Sequence, residues 1–338
     1  MRILVTGGCG FIGHHLVEHL IKTTFDALPF FNTKADIIVW DKLTYASSGF
    51  DRLRDINVFN DKRVSIIGVD FSKKITEGVV SETGDVDYIV HVGAETHVDK
   101  SIEDAEPFVT ANVVGTLHML EYARTCKNLR GFFYFSTDEV FGPAPESVKY
   151  KEWDRYNSTN PYSATKAGGE ELCLAFANTY NVPVVITHTM NVFGERQHPE
   201  KFIPTTIRKV LLGEINIVHA NKKRTVSGSR FYIHARNVAS AITFLFTRAK
   251  LREKYNIVGE QEVSNLEMVL LIGNMLGKEP KFELTDFHSS RPGHDLRYAL
   301  DGSKMFKEGW RIPVEFSRSL AKTVQWYLLP ENKRWLGV

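Results

Sequence analysis

Residues 6 to 13 read Thr6-Gly7-Gly8-Cys9-Gly10-Phe11-Ile12-Gly13, and the fold is decided by what lies on either side of them. A β-rich apolar run, Ile3 to Thr6, leads straight in, and Leu16, Val17, Leu20 and Ile21 form an apolar stripe at helical spacing straight after. A glycine turn from strand to helix lets backbone N–H groups approach a pyrophosphate, and the helix N-terminus favours its negative charge. The spacing is Gly-x-x-Gly-x-x-Gly at Gly7, Gly10 and Gly13, with Phe11 and Ile12 opening the helix. Taken alone, the same glycines would also suit a turn that merely packs. Asp41 favours the nucleotide reading. It ends the second apolar run, Ile37 to Trp40, where a carboxylate can accept hydrogen bonds from adenosine ribose hydroxyls. It would repel a 2′-phosphate, so NAD is expected over NADP; Lys42, next door, tempers that preference.

Working outward, further runs at Val64 to Ile67, Tyr88 to His91, Phe132 to Ser136 and Val184 to Thr187 alternate with helical periods at Phe108 to Arg124 and Tyr162 to Tyr180. This alternation predicts an α/β fold, a Rossmann-type doubly wound parallel sheet with crossover helices. From about residue 191 the alternation breaks down, and Pro199, Pro204, Pro280, Pro292 and Pro313 punctuate short elements. A smaller C-terminal α+β substrate lobe is expected there. The expected division is an NAD-binding domain over 1–190, to which the chain returns at about 234–257, and a substrate lobe from 191–233 and 258–338. Thr23 to Asp36, with Pro29 and Asn32, is expected to be an inserted loop.

The 338 residues suffice for a large core. With 42 Lys+Arg against 40 Asp+Glu the net charge is +2, so no strong field marks the chain for nucleic acid or an anionic membrane, and any anion must be bound locally. Cys9, Cys126 and Cys173 lack the paired short spacing of a zinc site or a disulfide framework. No metal is expected, and a cytoplasmic setting is. No apolar stretch approaches the ~20 residues that span a bilayer, and the first strand leaves no room for a signal peptide.

Two residue pairs carry the chemistry. Tyr162 and Lys166, four apart, share one helix face. A nearby ammonium stabilises phenolate, so such a tyrosine can take a hydroxyl proton as hydride leaves; such pairs also occur on plain helix surfaces. Asp138 and Glu139 follow the strand ending at Ser136, at the carboxyl end where open α/β sheets bind ligands. Adjacent acids also cap helices or face solvent, and Thr137 would suit any turn. A plain hydride transfer needs one proton acceptor. Removing water from carbon needs a further base and a further acid, with the two carboxyls held at different pKa values.

With these segments in view, the chain resembles the sugar-nucleotide 4,6-dehydratases of the extended short-chain dehydrogenase/reductase superfamily, the dTDP-glucose enzymes most of all. The resembling segments are Thr6 to Gly13, Asp41 to Ala46, Ala94 to Ser101, Ser136 to Gly142, Asn160 to Lys166, Pro199 to Pro204 and Arg291 to Tyr298. The resemblance implies NAD-dependent dehydration of a nucleoside-diphosphate hexose to the 4-keto-6-deoxy sugar: C4 oxidation, elimination of water across C5 and C6, and hydride return to C6. It implies Tyr162 as base at C4, helped by Lys166 and Thr137, with Glu139 as base at C5 and Asp138 as acid at C6. For the cofactor it implies Gly7, Gly10, Phe11, Ile12, Gly13, Asp41, Lys42, Thr44, Asp70, Phe71, Ala94, Thr96, Tyr162 and Lys166, with Asp70 and Phe71 flanking the adenine. For the substrate it implies Thr96, Thr137, Asn191, Glu200, Lys201, Arg230, Arg297 and Tyr298. A homodimer through the helices at about 108–124 and 162–180 follows on the same ground. The chain departs from the pattern at Met190 to Arg196 and at Arg230 to Asn237; Glu195 and Arg196 are expected to alter a loop near the nucleotide or sugar, which leaves dTDP, UDP and CDP open as the nucleotide. A UDP-sugar 4-epimerase would share the Tyr-Lys pair and NAD but not need the acids, and a non-catalytic NAD-binding regulator would have lost the tyrosine or lysine.

Overall fold

The structure, a computed structural model, describes residues 1–23, 34–286 and 296–337. Residues 24–33 of the expected inserted loop lie outside the described residues, as do Pro292 and the Arg291 to Asp295 part of one resembling segment. Seven strands form one sheet: β1 (Arg2–Thr6), β2 (Asp36–Asp41), β3 (Val64–Gly68), β4 (Tyr88–His91), β5 (Gly131–Thr137), β6 (Val184–Thr189) and β7 (Glu253–Ile257). All pairs are parallel, in the order β7-β6-β5-β4-β1-β2-β3. The order reverses between β1 and β4, so a crevice opens beyond their carboxyl ends, where such sheets bind ligands.

The strands read as apolar runs because the sheet is covered on both faces. Ile3, Val5, Ile37 and Val39 face one core, while Leu4, Ile38, Trp40 and Ile89 face the other. On the first face, helix α1 (Phe11–Lys22) presents the Leu16, Val17, Leu20 and Ile21 stripe, all buried. On the second lie α2 (Gly115–Thr125) and α3 (Pro161–Tyr180). α3 starts where it does because Asn160 and Ser163 form a reciprocal cap, Pro161 suits the first turn, and Asn181 ends the helix in the left-handed region. The helix expected from Phe108 runs through a π-helical turn, Val109–Val114, before α2. That turn rotates Asn112 inward, and its side chain holds the loop after β4.

Beyond Asn191, α4 (Phe202–Leu212), α5 (Ala235–Arg248), α6 (Asn265–Met275) and α7 (Phe316–Leu328) alternate with strand pairs of two to five residues. Within this region, α5 packs on α1 through Val238, Ile242 and Leu245. The others enclose a separate core that includes Ile207, Met268, Ile272, Leu320 and Tyr327. A fourth cluster, Val140, Phe141, Met190, Phe231, Tyr298 and Leu300, ties the end of β5 to this second region. Removing a large side chain such as Leu320 from its core would cost about 2–5 kcal/mol.

Candidate active site

The crevice holds a cavity of about 350 Å³ that runs from the glycine turn to the end of β5. At its first end the glycines are required sterically. Gly7 sits at φ +67, and a Cβ there would come within 2.7 Å of Gly93 Cα; a Cβ on Gly13 would lie 2.1 Å from the Gly7 carbonyl oxygen. α1 opens on Gly10 with no side-chain cap, so its first-turn amides are left for an anion. The Asp41 carboxylate accepts from Cys9 N at 3.0 Å and Leu43 N at 2.8 Å, which fixes it at the cavity wall with lone pairs to spare. A compact glycine cradle, uncapped amides and a carboxylate at the end of the second strand fit a dinucleotide. Gly7, Gly10, Phe11, Ile12, Gly13, Asp41, Lys42, Thr44, Phe71, Ala94 and Thr96 line this stretch. Asp70 does not: it turns back to accept from the Ser72 amide and hydroxyl.

At the other end Thr137, Asp138, Glu139, Tyr162 and Lys166 come together on the same wall. The strand ends at Thr137, whose hydroxyl donates to Asp138 Oδ1 at 3.0 Å. Asp138 Oδ2 is buried without a partner. Burial dominates its electrostatics and, against the pull of Arg230 and of Thr137, pushes the carboxyl up to about 6. A carboxyl that holds its proton so late can act as an acid. Glu139, half-buried, accepts from Asn160 Nδ2 at 3.3 Å, so the α3 cap also aims this acid. The two neighbours therefore sit in different surroundings.

Tyr162 is buried beside Thr137, and burial together with Glu139 raises its phenol well above the ordinary value. Lys166, one turn along α3, is buried over the Tyr134 ring with Nζ 4.3 Å from its centre. Burial pulls its ammonium down to about 8. Asn191 also reaches the cavity, its Oδ1 buried and unpartnered, and Glu200 and Lys201 lie at the rim. Arg230 and Tyr298 lie outside the cavity lining; the guanidinium stacks 4.5 Å over the Tyr298 ring and faces Asp138 from the second region. Arg297 is committed elsewhere, with Nε and Nη2 on Glu262 at 2.7 and 3.0 Å and Nη1 on the carbonyls of Pro145 and Val148.

Glu195 and Arg196 do not themselves line the cavity, although Gln197 and His198, next along the same loop, do. Both turn away behind α1: Glu195 faces His234 Nε2 at 3.0 Å and Arg196 Nε faces His14 Nε2 at 3.0 Å. They are held there by the first turns of α1 and by His234, between the lining residues Val192 and Gln197. Sequence reasoning also missed Arg52 and Asn112. Arg52, fully buried, donates to the carbonyls of Ala46, Ser47 and Arg196 and so shapes the loop after β2. Asn112 ties the Glu95 backbone to Thr165 on α3.

A charged Lys42–Glu95 pair at 3.1 Å spans the same wall. Comparison with known proteins agrees with this geometry. The model of the NAD dependent epimerase/dehydratase family matches residues 3–258. A dTDP-glucose 4,6-dehydratase of Salmonella typhimurium is 35% identical over 360 residues, covering 100% of this chain and 95% of that protein. Among solved structures, the dTDP-glucose 4,6-dehydratase DesIV of Streptomyces venezuelae, crystallised with NAD, is 34% identical with a TM-score of 0.86 and covers 99% of this chain and 98% of its own. The UDP-glucose 4-epimerase of Thermus thermophilus, in complex with NAD, is more distant at 27% identity, TM-score 0.81 and coverage of 96% and 98%. A match over this much of the sheet, with the glycine cradle and the Tyr-Lys pair both inside it, places the chain in the NAD dependent epimerase/dehydratase family.

Proposed function

We propose that the protein is a hydro-lyase that dehydrates a nucleoside-diphosphate hexose, dTDP-glucose by preference, to its 4-keto-6-deoxy product. The observation that carries this reading is the pair Asp138 and Glu139: one buried carboxyl that keeps its proton to about 6 and one half-buried acid aimed by Asn160, both facing Tyr162. A 4-epimerase has no work for the first. Bound NAD, held by Gly7 to Gly13 and Asp41, supplies the oxidant at C4 and afterwards the reductant at C6. Tyr162 takes the C4 hydroxyl proton, its phenolate stabilised by the Lys166 ammonium, and Thr137 orients the sugar. Once C4 is a ketone the C5 proton is acidic; Glu139 removes it while Asp138 protonates the departing C6 hydroxyl. Glu139 then gives its proton back to C5, and the proton that Tyr162 took from the C4 hydroxyl restores Asp138 by way of solvent, so the water released is made of the C6 hydroxyl and that one proton. Asn191 and Lys201 contact the substrate, and Arg230 supplies positive charge toward the diphosphate.

The same reading assigns residues 1–190 with 234–257 to the cofactor and 191–233 with 258–338 to the sugar nucleotide. A homodimer through the Val109–Thr125 stretch and α3 and a cytoplasmic location belong to the same proposal, and light scattering tests the first. Among the described residues no helix is long and apolar enough to cross a membrane. The activity is tested by incubation with dTDP-glucose and UDP-glucose, followed by alkali and ultraviolet absorbance of the 4-keto-6-deoxy sugar. A galactose product would mark an epimerase, and no product a binding protein. The dTDP-glucose 4,6-dehydratases similar to this chain favour the first outcome.

A further inference from the structure

Behind the strand end that carries the acids lies a buried polar knot that the mechanism above does not use. Its centre is Glu170 on α3, fully buried. One carboxylate oxygen accepts from Ser136 Oγ. The other meets the Tyr156 hydroxyl, His188 Nε2 at 3.0 Å and Lys254 Nζ at 3.4 Å. Asn256 contacts His188 Nδ1 at 2.9 Å, and its own amide donates to the carbonyls of Tyr150 and Asp301. The knot thus joins α3 to β5, β6, β7 and the segment after β5. Well-packed apolar residues would fill the same volume at no less stability, so packing alone does not account for it.

Two geometric facts tie it to the reaction. Ser136 immediately precedes Thr137, Asp138 and Glu139, so its bond to Glu170 fixes the strand end from which all three project. Glu170 also stands four residues beyond Lys166 and eight beyond Tyr162, on the same face of one helix. We propose that Glu170 is a positioning residue for C4 oxidation: it moors the end of β5 to α3, and one turn behind Lys166 it supplies the negative charge that keeps that buried lysine an ammonium. The proposal rests on the function assigned above.

The electrostatics run the same way. Burial is the largest influence on Lys166 and disfavours its charge; Glu170 is the leading influence that restores it. Glu170 itself stays ionised, held down to about 2 because His188, Lys254 and Ser136 outweigh its burial. The other titratable and charged groups facing the knot are Cys173 and Glu171 on α3, Tyr134 on β5, Tyr156 after β5, His188 on β6 and Lys254 on β7, with Glu253 and Lys304 paired beyond it. Lys166 itself is faced by Glu170 and Cys173 on α3 and by His91 on β4, and it is the group of this neighbourhood that touches the reaction.

The test uses full-length Glu139→Gln protein with dTDP-glucose, in which oxidation is expected to stall as reduced nicotinamide, read by its near-ultraviolet absorbance between about pH 6 and pH 10. Adding Glu170→Gln is expected to move the alkaline limb of the oxidation rate down by about one pH unit, with the half-saturating sugar nucleotide within about twofold. Glu170→Asp should recover most of that limb. Ser136→Ala, which removes the mooring and leaves the charge, should slow oxidation about tenfold with the limb in place. An unchanged limb in folded Glu139→Gln/Glu170→Gln protein overturns the inference. If thermal melting shows that variant unfolded, Ser136→Ala and Glu170→Asp decide, and oxidation rates equal to the Glu139→Gln parent in both overturn it. No reduced nicotinamide in Glu139→Gln alone would sink the functional assignment instead.

Discussion

Asp138→Asn should make the protein more stable and inactive at once, and the gain should vanish in acid. The folded protein holds the Asp138 carboxyl near 6 against an ordinary 3.8, a difference of about 2.2 units, which at 1.36 kcal/mol per unit is about 3 kcal/mol. The sign follows from linkage. A folded-state pKa above the unfolded one means that the folded form resists ionisation, so the penalty is present in full above about pH 6 and gone below about pH 4. Asparagine keeps the Oδ1 that accepts from Thr137 and leaves an unpartnered NH2 where the neutral acid leaves an unpartnered OH, so it mimics the protonated acid. Unfolding 338 residues at about 2.1 cal/mol/K each gives about 0.7 kcal/mol/K, so the melting midpoint at pH 8 should rise by about 4 °C. Dehydration should fall by about 10²–10⁴-fold, the usual worth of a positioned acid. The assay is paired thermal melts at pH 8, 6 and 4.5 with matched cofactor content, alongside product formation. A variant no more stable than the parent at pH 8, or equally more stable at every pH, would refute the buried-acid argument.

Glu139→Gln should block product while still allowing oxidised C4 to accumulate with reduced nicotinamide on the enzyme; full turnover would remove Glu139 as the C5 base. Tyr162→Phe should abolish even that first absorbance change, by about 10²–10⁴-fold in rate, and an unchanged signal would exclude Tyr162 from the chemistry. Gly7→Ala forces a Cβ against Gly93 at a left-handed backbone position, which costs about 1–2 kcal/mol before any clash; NAD content of the purified protein, measured after acid extraction, should drop sharply, and retention at the parent's level would contradict the cradle. In the parent, the dehydration step should slow as pH rises through about 6 and Asp138 loses its proton, a limb absent from Asp138→Asn; stopped-flow product formation reads it.

The parts of the fold legible in the sequence are those whose signal is local. The turn at 6–13 needs its glycines within eight residues, and α1 shows its buried stripe at ordinary helical spacing, so both can be read without a partner in view. β7 is foreseeable only as a return of the chain, because nothing in Glu253–Ile257 states which of two sheet edges it joins; the pairing with β6 does. The second region resists such reading because several of its strands are two residues long and owe their pairing to tertiary contacts rather than to periodicity. Arg52 and Asn112 carry no motif: each acts on backbone carbonyls or amides brought near by loops, and a buried arginine reads in sequence like any surface one. Arg297 shows the limit from the other side, since a fork that suits a phosphate also fits the Glu262 carboxylate it pairs with here, and sequence does not tell the two apart.

The departures from the family pattern at Glu195 and Arg196 make their contacts with His234 and with α1, the helix that opens on the glycine cradle. Glu195 lies against His15 and His234, with His15 bridging back to the Glu195 carbonyl, and Arg196 lies against His14. His14 and His15 belong to the first turns of α1, the helix whose N-terminal amides face the anion site. Burial holds both histidines below their ordinary value, His15 at about 3, so at neutral pH the cluster is neutral imidazoles around one carboxylate and one guanidinium. Its net charge therefore does little to the field at the cradle, and its physical effect is to fix how α1 sits on the loop after Gly194. The residues of this stretch that do reach the cavity are Met190, Asn191, Val192, Gln197 and His198, which makes them the better candidates for selectivity among dTDP, UDP and CDP. Glu195→Pro should therefore change thermal stability and cofactor retention while leaving the ratio of kcat/KM for dTDP-glucose to that for UDP-glucose within about twofold; a larger shift in that ratio would put the loop back in charge of the base.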